Sequence, residues 1–204
     1  IPYTGTYRNE EERRQRYPLL IHKNGFRIAL LNYTYDTNGV KPSSPNIVNY
    51  IDKKIMLQDI DTARTWQPDV IIACMHWGIE YQSLPSKKQK FLADWLLQKG
   101  VDHVIGSHPH VVQPFERDSA GVTLFSLGNF VSNQRKRHTD GGLLAEIVVT
   151  RTAGEPLRYY LEITPVWVLC PGYRILPPEV GDTLAMPAPA RAAYERFMAQ
   201  RASV

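Results

Sequence analysis

Cysteine is scarce: Cys74 and Cys170 are the only two in 204 residues, so one bridge at most could form and no multi-thiolate metal site is available. Cys74 lies inside the apolar run Val70–Met75, where a small buried thiol is the common outcome. Long apolar runs are also lacking. That run is the longest, far below the roughly 18 to 20 residues that cross a bilayer, so the sequence offers no membrane span. Low-complexity tracts and internal repeats are absent, and 43% hydrophobic with 22% charged residues is ordinary globular usage, which excludes long disorder and solenoid architectures. Nor is there a strong excess of one charge. Lys plus Arg number 24 against 20 Asp plus Glu, a net +4 that mildly favours an anionic partner without naming one. The chain opens on Ile-Pro-Tyr with neither an initiator Met nor a signal peptide, which raises the expectation of a fragment or processed piece.

What is present reads as alternating elements. Asn9 can cap a short charged helix over residues 8–16, and PLLIH and FRIALLNY flank the turn pair Asn24-Gly25 as a hairpin. Met56, Ile60, Ala63 and Trp66 recur at helical spacing before Pro68. A second helix is predicted from Ser86 to Lys99, with Ser86 and Gln89 in capping-box spacing, Phe91, Leu92, Trp95 and Leu96 on one face, and Gly100 as the stop. DVIIACMHWG and VDHVIGSHPH read as strands linked by that helix, so the sheet is expected to be covered on both faces with functional groups past the strand C-termini. Beyond Gly121 the runs GVTLFSLGNF, GGLLAEIVVTR and LRYYLEITPVWVL predict antiparallel sheet. A Pro-rich linker over 176–189 then leads to a helix striped by Ala190, Tyr194, Phe197 and Met198.

Three of the six histidines fall at predicted strand ends: His76 in CMHWG, and His108 with His110 in GSHPH. Neutral imidazole suits Zn, Fe, Mn or Ni, and three such groups can supply part of a two-metal site, although no bridging Asp stands in either motif. His22, His103 and His138 are given no role. Glu80, four residues past His76, is a candidate to orient an imidazole or act as acid or base, with a solvent-facing loop Glu as the alternative. Asn129 is a candidate site-lining residue, or else an Asn supporting the turn after a strand. Asp36, Thr37 and Asn38 lie in the polar loop after FRIALLNY, where Asx-turn chemistry explains them. Of the basic clusters, Arg13-Arg14-Arg16 and Lys87-Lys88-Lys90 read as solvated faces. Arg135-Lys136-Arg137 follows SLGNF directly, which makes Arg135 and Arg137 candidates to attract phosphate or polycarboxylate. No nucleic-acid module or interleaved aromatics accompany these clusters, so nucleic-acid binding is set aside.

The strings HWGIEY (76–81), GSHPHVVQP (106–114) and SLGNF (126–130), preceded by NYTYDTNG (32–39), resemble the CapA family of capsule and poly-γ-glutamate biosynthesis proteins over about residues 17 to 170. That family is similar to the calcineurin-like metallophosphoesterases. The resemblance implies a mixed α/β fold, a metallophosphoesterase-like four-layer αββα sandwich of which this chain is the C-terminal half, with residues 1–175 in that domain and 176–204 as linker and helix. It implies His76, His108 and His110 as ligands to divalent metals, two in number, of Mn, Fe or Zn. It also implies Asp36, Thr37 and Asn38 as substrate contacts, a role for which Asx-turn chemistry accounts nearly as well. The superfamily's early Asp, bridging Asp and Asn-His pair are missing, and Phe130 stands where the His of the last would fall. A preceding segment is therefore expected to complete the site, and this chain alone to be inactive. The implied activity is phosphoester-type hydrolysis within capsule biosynthesis. The alternatives are amide cleavage in polyglutamate, or a non-catalytic accessory domain binding an anionic surface polymer or capsule-synthase subunits. By resemblance, the location is extracytoplasmic, with membrane attachment through a segment the chain lacks.

Overall fold

The computed structural model of the chain describes residues 2–118 and 121–201. It divides into two compact units, Ile1–Trp77 with Lys87–Gly106, and Gly78–Ser86 with Ser107–Val204.

The first unit holds β1 (Thr6–Tyr7), α1 (Glu10–Arg16), β2 (Leu19–Lys23), β3 (Phe26–Thr34), β4 (Ile47–Val48), α2 (Lys53–Thr65), β5 (Val70–His76), α3 (Lys87–Gln98) and β6 (His103–Ser107), whose last residue opens the second unit. As the Asn24-Gly25 pair predicts, β2 and β3 form an antiparallel hairpin in which Lys23 faces Phe26, with both turn residues at positive φ. β5 then adds parallel to β3, running from Ile28 opposite Val70 to Thr34 opposite His76, and the sheet order is β2-β3-β5-β6. Carboxylates pin the starts of the parallel strands. Asp69 Oδ2 accepts the Arg27 N–H at 2.7 Å, and Asp102 Oδ2 accepts the Ile71 N–H at 2.7 Å. Fixing the register at that end delivers Thr34 and His76 side by side at the other.

The helices bury most of the predicted stripes, Trp66 and Trp95 being half-buried and Phe91 exposed. Met56, Ile60 and Ala63 of α2 and Leu92 and Leu96 of α3 are buried. Phe91, expected on the buried face, is instead 62% exposed. Its ring takes the Lys53 ammonium at 4.8 Å, which also stands 5.0 Å from Trp95, so the ring face gains a cation in place of apolar cover. A second difference concerns Arg13, assigned to a solvated face. Its Nη2 donates to both Asp59 oxygens, at 2.8 and 3.0 Å, and Arg13 Nε donates to Asn49 Oδ1 at 2.7 Å. Tyr33 Oη also donates to Asp59, at 3.0 Å. Burial pushes the Asp59 pKa up while Arg13 and Tyr33 oppose the shift. This paired charge ties α1 to α2 and β3 across 46 residues of sequence.

The second unit holds β7 (Phe115–Arg117), β8 (Val122–Leu124), β9 (Gly141–Thr150), β10 (Arg158–Leu169), β11 (Arg174–Leu176), α4 (Pro178–Gly181) and α5 (Ala188–Arg201). β7 and β8 pair antiparallel, and β11-β10-β9 form an antiparallel sheet. The Pro-rich stretch carries α4, and the α5 residues Tyr194 and Phe197 are buried with Trp167 and Leu176, with Leu184 and Met186 packed against them. GVTLFSLGNF is strand only over Val122–Leu124. Gly128 at φ +73 turns the remainder out of extended geometry.

Two stability predictions follow from the first unit. Truncating Arg13 or Asp59 to Ala leaves a buried charge without its counter-ion, so each costs about 3–5 kcal/mol, while Arg13→Met with Asp59→Leu costs less than either; urea unfolding of the three variants checks this. His103 on β6 is fully buried, and burial holds its pKa down to about 4. An unfolded histidine titrates near pH ~6.5, so the unfolded chain takes up a proton the folded chain refuses. This contribution is therefore complete above about pH 6.5 and is lost progressively towards pH 4. Melting temperatures of wild type and His103→Gln across that window are expected to differ in slope, the wild type being the steeper.

Candidate metal centre

In the second unit the chain folds back so that Glu80, His108 and His110 each present a ligand atom within 4.8 Å of the others. The backbone is bent hard to do so. Tyr81 (φ +64), His108 (φ +100) and His110 (φ +61) all adopt positive φ, a conformation costly for non-glycine residues and concentrated at ligand sites. The Tyr81 N–H donates to the Pro109 carbonyl at 2.8 Å, binding the residue after Glu80 to the residue between the two histidines. Tyr81 also stacks on His110, with centroids 5.9 Å apart and planes 23° apart. Lys136 Nζ lies 3.9 Å from the Tyr81 centroid.

The protonation of His110 follows from a chain of hydrogen bonds. The Thr139 carbonyl can only accept, so the edge of Asn129 facing it at 2.8 Å is the NH2. The other edge, Oδ1, is then the atom 3.0 Å from His110 Nδ1, and Nδ1 must carry the ring proton. In the neutral ring this leaves the Nε2 lone pair turned towards Glu80 Oε1, 3.8 Å away. In that form two electron-pair donors face each other across a gap that a metal cation can fill, with His108 beside them. Bonds of about 2.0–2.2 Å from imidazole nitrogen and carboxylate oxygen span the gap, and two His with one carboxylate is a donor set for Zn or non-haem Fe(II). The residues present fit a divalent metal.

Asn129 reaches this position because the SLGNF turn and the start of β9 approach without side chains between them. Gly128 and Gly142 form a bridge, and the Asn129 N–H donates to the Gly141 carbonyl at 3.0 Å. A Cβ on Gly142 would stand 2.7 Å from the Leu127 oxygen and 2.8 Å from the Asn129 oxygen.

His76 belongs to the first unit. Thr34 Oγ1 donates to the Asp36 carbonyl at 2.7 Å, so its oxygen accepts from His76 Nδ1 at 2.8 Å. Tyr35 stacks on this imidazole at 5.7 Å. A cavity of about 340 Å³ opens here, lined by Asn32, Asp36, Asn38, Asn49 and His76 among others. Asn38, expected to touch substrate, lies in this wall. Gly39 N donates to Asp36 Oδ2 at 3.1 Å, in keeping with the Asx-turn reading of the loop.

Arg135 and Arg137 are exposed. Arg135 stands 5.8 Å from the Tyr173 ring, and it is Lys136, between them, that reaches the wall of the triad. Sequence reasoning missed Tyr81, Thr139 and Thr34 because they act on histidines through tertiary contacts, and it named Lys136 only as a member of its basic cluster. The left-handed turns at 108 and 110 have no glycine or Asn-Gly signal to announce them.

The fold and this site define a mixed α/β protein whose fold resembles that of a metallophosphoesterase-fold protein. Its structure superposes on a Staphylococcus aureus protein named as a 5'-nucleotidase and crystallised with alpha-ketoglutarate, with a TM-score of 0.52 at 13% identity, covering 95% of this chain and 36% of that one. That likeness is one of fold alone. The family described as bacterial capsule synthesis protein PGA_cap matches residues 1–134, and the chain belongs to it. Similar relatives are the PGA biosynthesis protein CapA of Bacillus subtilis (strain 168), 34% identical over 127 residues, and the capsule biosynthesis protein CapA of Bacillus anthracis, 30% identical over 128. Each alignment takes in 60% of this chain, which spans about a third of the relatives' length, 33% and 31% respectively.

Replacing Gly142 with Ala forces the close backbone approach apart. It is expected to cost about 1–3 kcal/mol, as over-packing does, and to lower the urea midpoint without changing the m-value.

Proposed function

We propose that this chain contributes a divalent-metal centre of hydrolase type to a capsule-polymer biosynthesis protein, with Glu80, His108 and His110 as ligands. The observation that carries the reading is the facing pair of donors, His110 Nε2 and Glu80 Oε1 at 3.8 Å, with the histidine tautomer fixed by Asn129. An ion held there would polarise a phosphoryl or carbonyl oxygen and so prepare it for attack by water. Glu80 is assigned to the ion in this reading rather than to proton transfer alone. Asn129 holds the imidazole, and Arg135 and Arg137 supply positive charge for an anionic substrate. His76, whose Nδ1 is held by Thr34, is proposed as a metal ligand in the first unit, and Asn38 as a substrate contact there.

The four-layer αββα sandwich, the second ion, the extracytoplasmic location and contacts with synthase subunits belong to the same proposal, supported by the family membership. A phosphoester within a polymer or its precursor is the substrate favoured. Amide cleavage in polyglutamate uses the same polarisation and is separated by assaying both bond types on the intact protein.

Plasma mass spectrometry after equilibration with Mn, Zn or Fe and removal of loose ions tests the centre. About one retained ion per chain at the triad is expected, lost in His108→Ala and His110→Ala and kept in His22→Ala. Failure of the wild type to retain metal sinks the hydrolase reading and favours an accessory domain that binds anionic polymer.

A further inference from the structure

His110 is held from two sides by one short loop. From one side, Gln134 and Thr139 accept the Asn129 amide, through Oε1 at 3.3 Å and the backbone oxygen at 2.8 Å, and Asn129 sets the Nδ1 proton of His110. From the other, Lys136 sits over Tyr81, which stacks on His110 and hydrogen-bonds Pro109. The loop closes on itself as well, because Thr139 Oγ1 and N both donate to the Lys136 carbonyl, at 2.8 and 3.1 Å. Lys136 thus acts on the backbone that carries all three ligand residues. The same loop carries the exposed cations Arg135 and Arg137, and among the described residues none of its three cations is paired with a carboxylate. Elsewhere in the chain Arg8, Arg13, Arg16, Arg64 and Arg158 all have acidic partners.

We propose that Gln134–Thr139 is a strap that positions the ligands Glu80, His108 and His110 and makes metal and anion binding mutually dependent. A carboxylate or phosphate group taken by Arg135, Lys136 and Arg137 draws the strap onto Tyr81 and Asn129. The metal, in turn, adds positive potential beside the same cations. Linkage requires the two effects to be equal in free energy. This rests on the triad binding a metal, as proposed above. Lys136, Tyr81 and Asn129 are positioning residues in it.

The test uses the full chain, with fluorescently tagged γ-linked glutamate decamer as the anion, read by anisotropy with and without Mn2+, and inorganic phosphate as competitor. Mn2+ is expected to tighten decamer binding at least about fivefold, within the ordinary range of allosteric coupling. Lys136→Met is expected to abolish that gain and to weaken Mn2+ binding about tenfold, as loss of a ligand's supporting partner does. Lys136→Arg is expected to restore both. A readout independent of metal is the His110 ring in the metal-free chain: its ring-proton shifts are expected to carry the ring current of stacked Tyr81 in the wild type and to relax towards unstacked values in Lys136→Met. Phosphate that displaces the decamer completely marks a site for a single anion, whereas partial displacement marks one read by successive carboxylates; both support the strap. If the wild type binds no Mn2+, the metal reading falls and the strap with it. Equal Mn2+ affinity and unchanged His110 ring shifts in Lys136→Met, in a chain that does bind Mn2+, overturn the strap alone.

Discussion

The carboxamide of Asn129 cannot be turned over without facing its oxygen against the Thr139 carbonyl, and the chemistry of the second unit depends on that restriction. Because the amide is fixed, His110 carries a proton on Nδ1, and Nε2 is the ring nitrogen that faces the Glu80 carboxylate. The restriction is built from backbone rather than from side-chain bulk. Gly128 and Gly142 bring the SLGNF turn against β9 at a distance that admits no Cβ, and Asn129 is delivered by that contact. Strain at Tyr81, His108 and His110 is the complementary half of the design, since residues held at positive φ keep their place only when surrounding contacts over-determine them.

The first unit reaches a comparable end by a different route. Its parallel strands are pinned at their starts by Asp69 and Asp102, so that β3 and β5 finish in register and Thr34 lies beside His76. The buried Arg13–Asp59 pair then ties the N-terminal helix to this sheet and leaves Asn49 to line the cavity. A hydroxyl does for His76 what a carboxamide does for His110: each fixes the imidazole tautomer through Nδ1.

Much of the frame was legible in the residue pattern because it is local. Asn24-Gly25 makes a hairpin by its own φ preferences, and the α2 stripe of Met56, Ile60 and Ala63 is a matter of helical period. The strand-end placement of the histidines came from the same reasoning. Illegible were the two- and three-residue strands β1, β4, β7 and β11, too short to show a period, and the exposure of Phe91, where Lys53 replaced apolar cover. Arg13 read as solvated because its partner lies 46 residues away. Glu80 was placed near an imidazole by its spacing from His76, yet it stands with His108 and His110 because the chain reverses at Tyr81 and Pro109, a contact no sequence period encodes.

The central claim is that an ion bound by this chain takes imidazole and carboxylate donors from the triad. X-ray absorption at the metal edge of the Mn- or Zn-loaded chain tests it most directly, since imidazole rings leave a distinctive outer-shell scattering pattern. The account predicts a first shell near ~2.0–2.2 Å containing imidazole nitrogen together with carboxylate oxygen, and a loss of imidazole scattering in His108→Ala with His110→Ala. A shell of oxygen alone, identical in wild type and double variant, would contradict it.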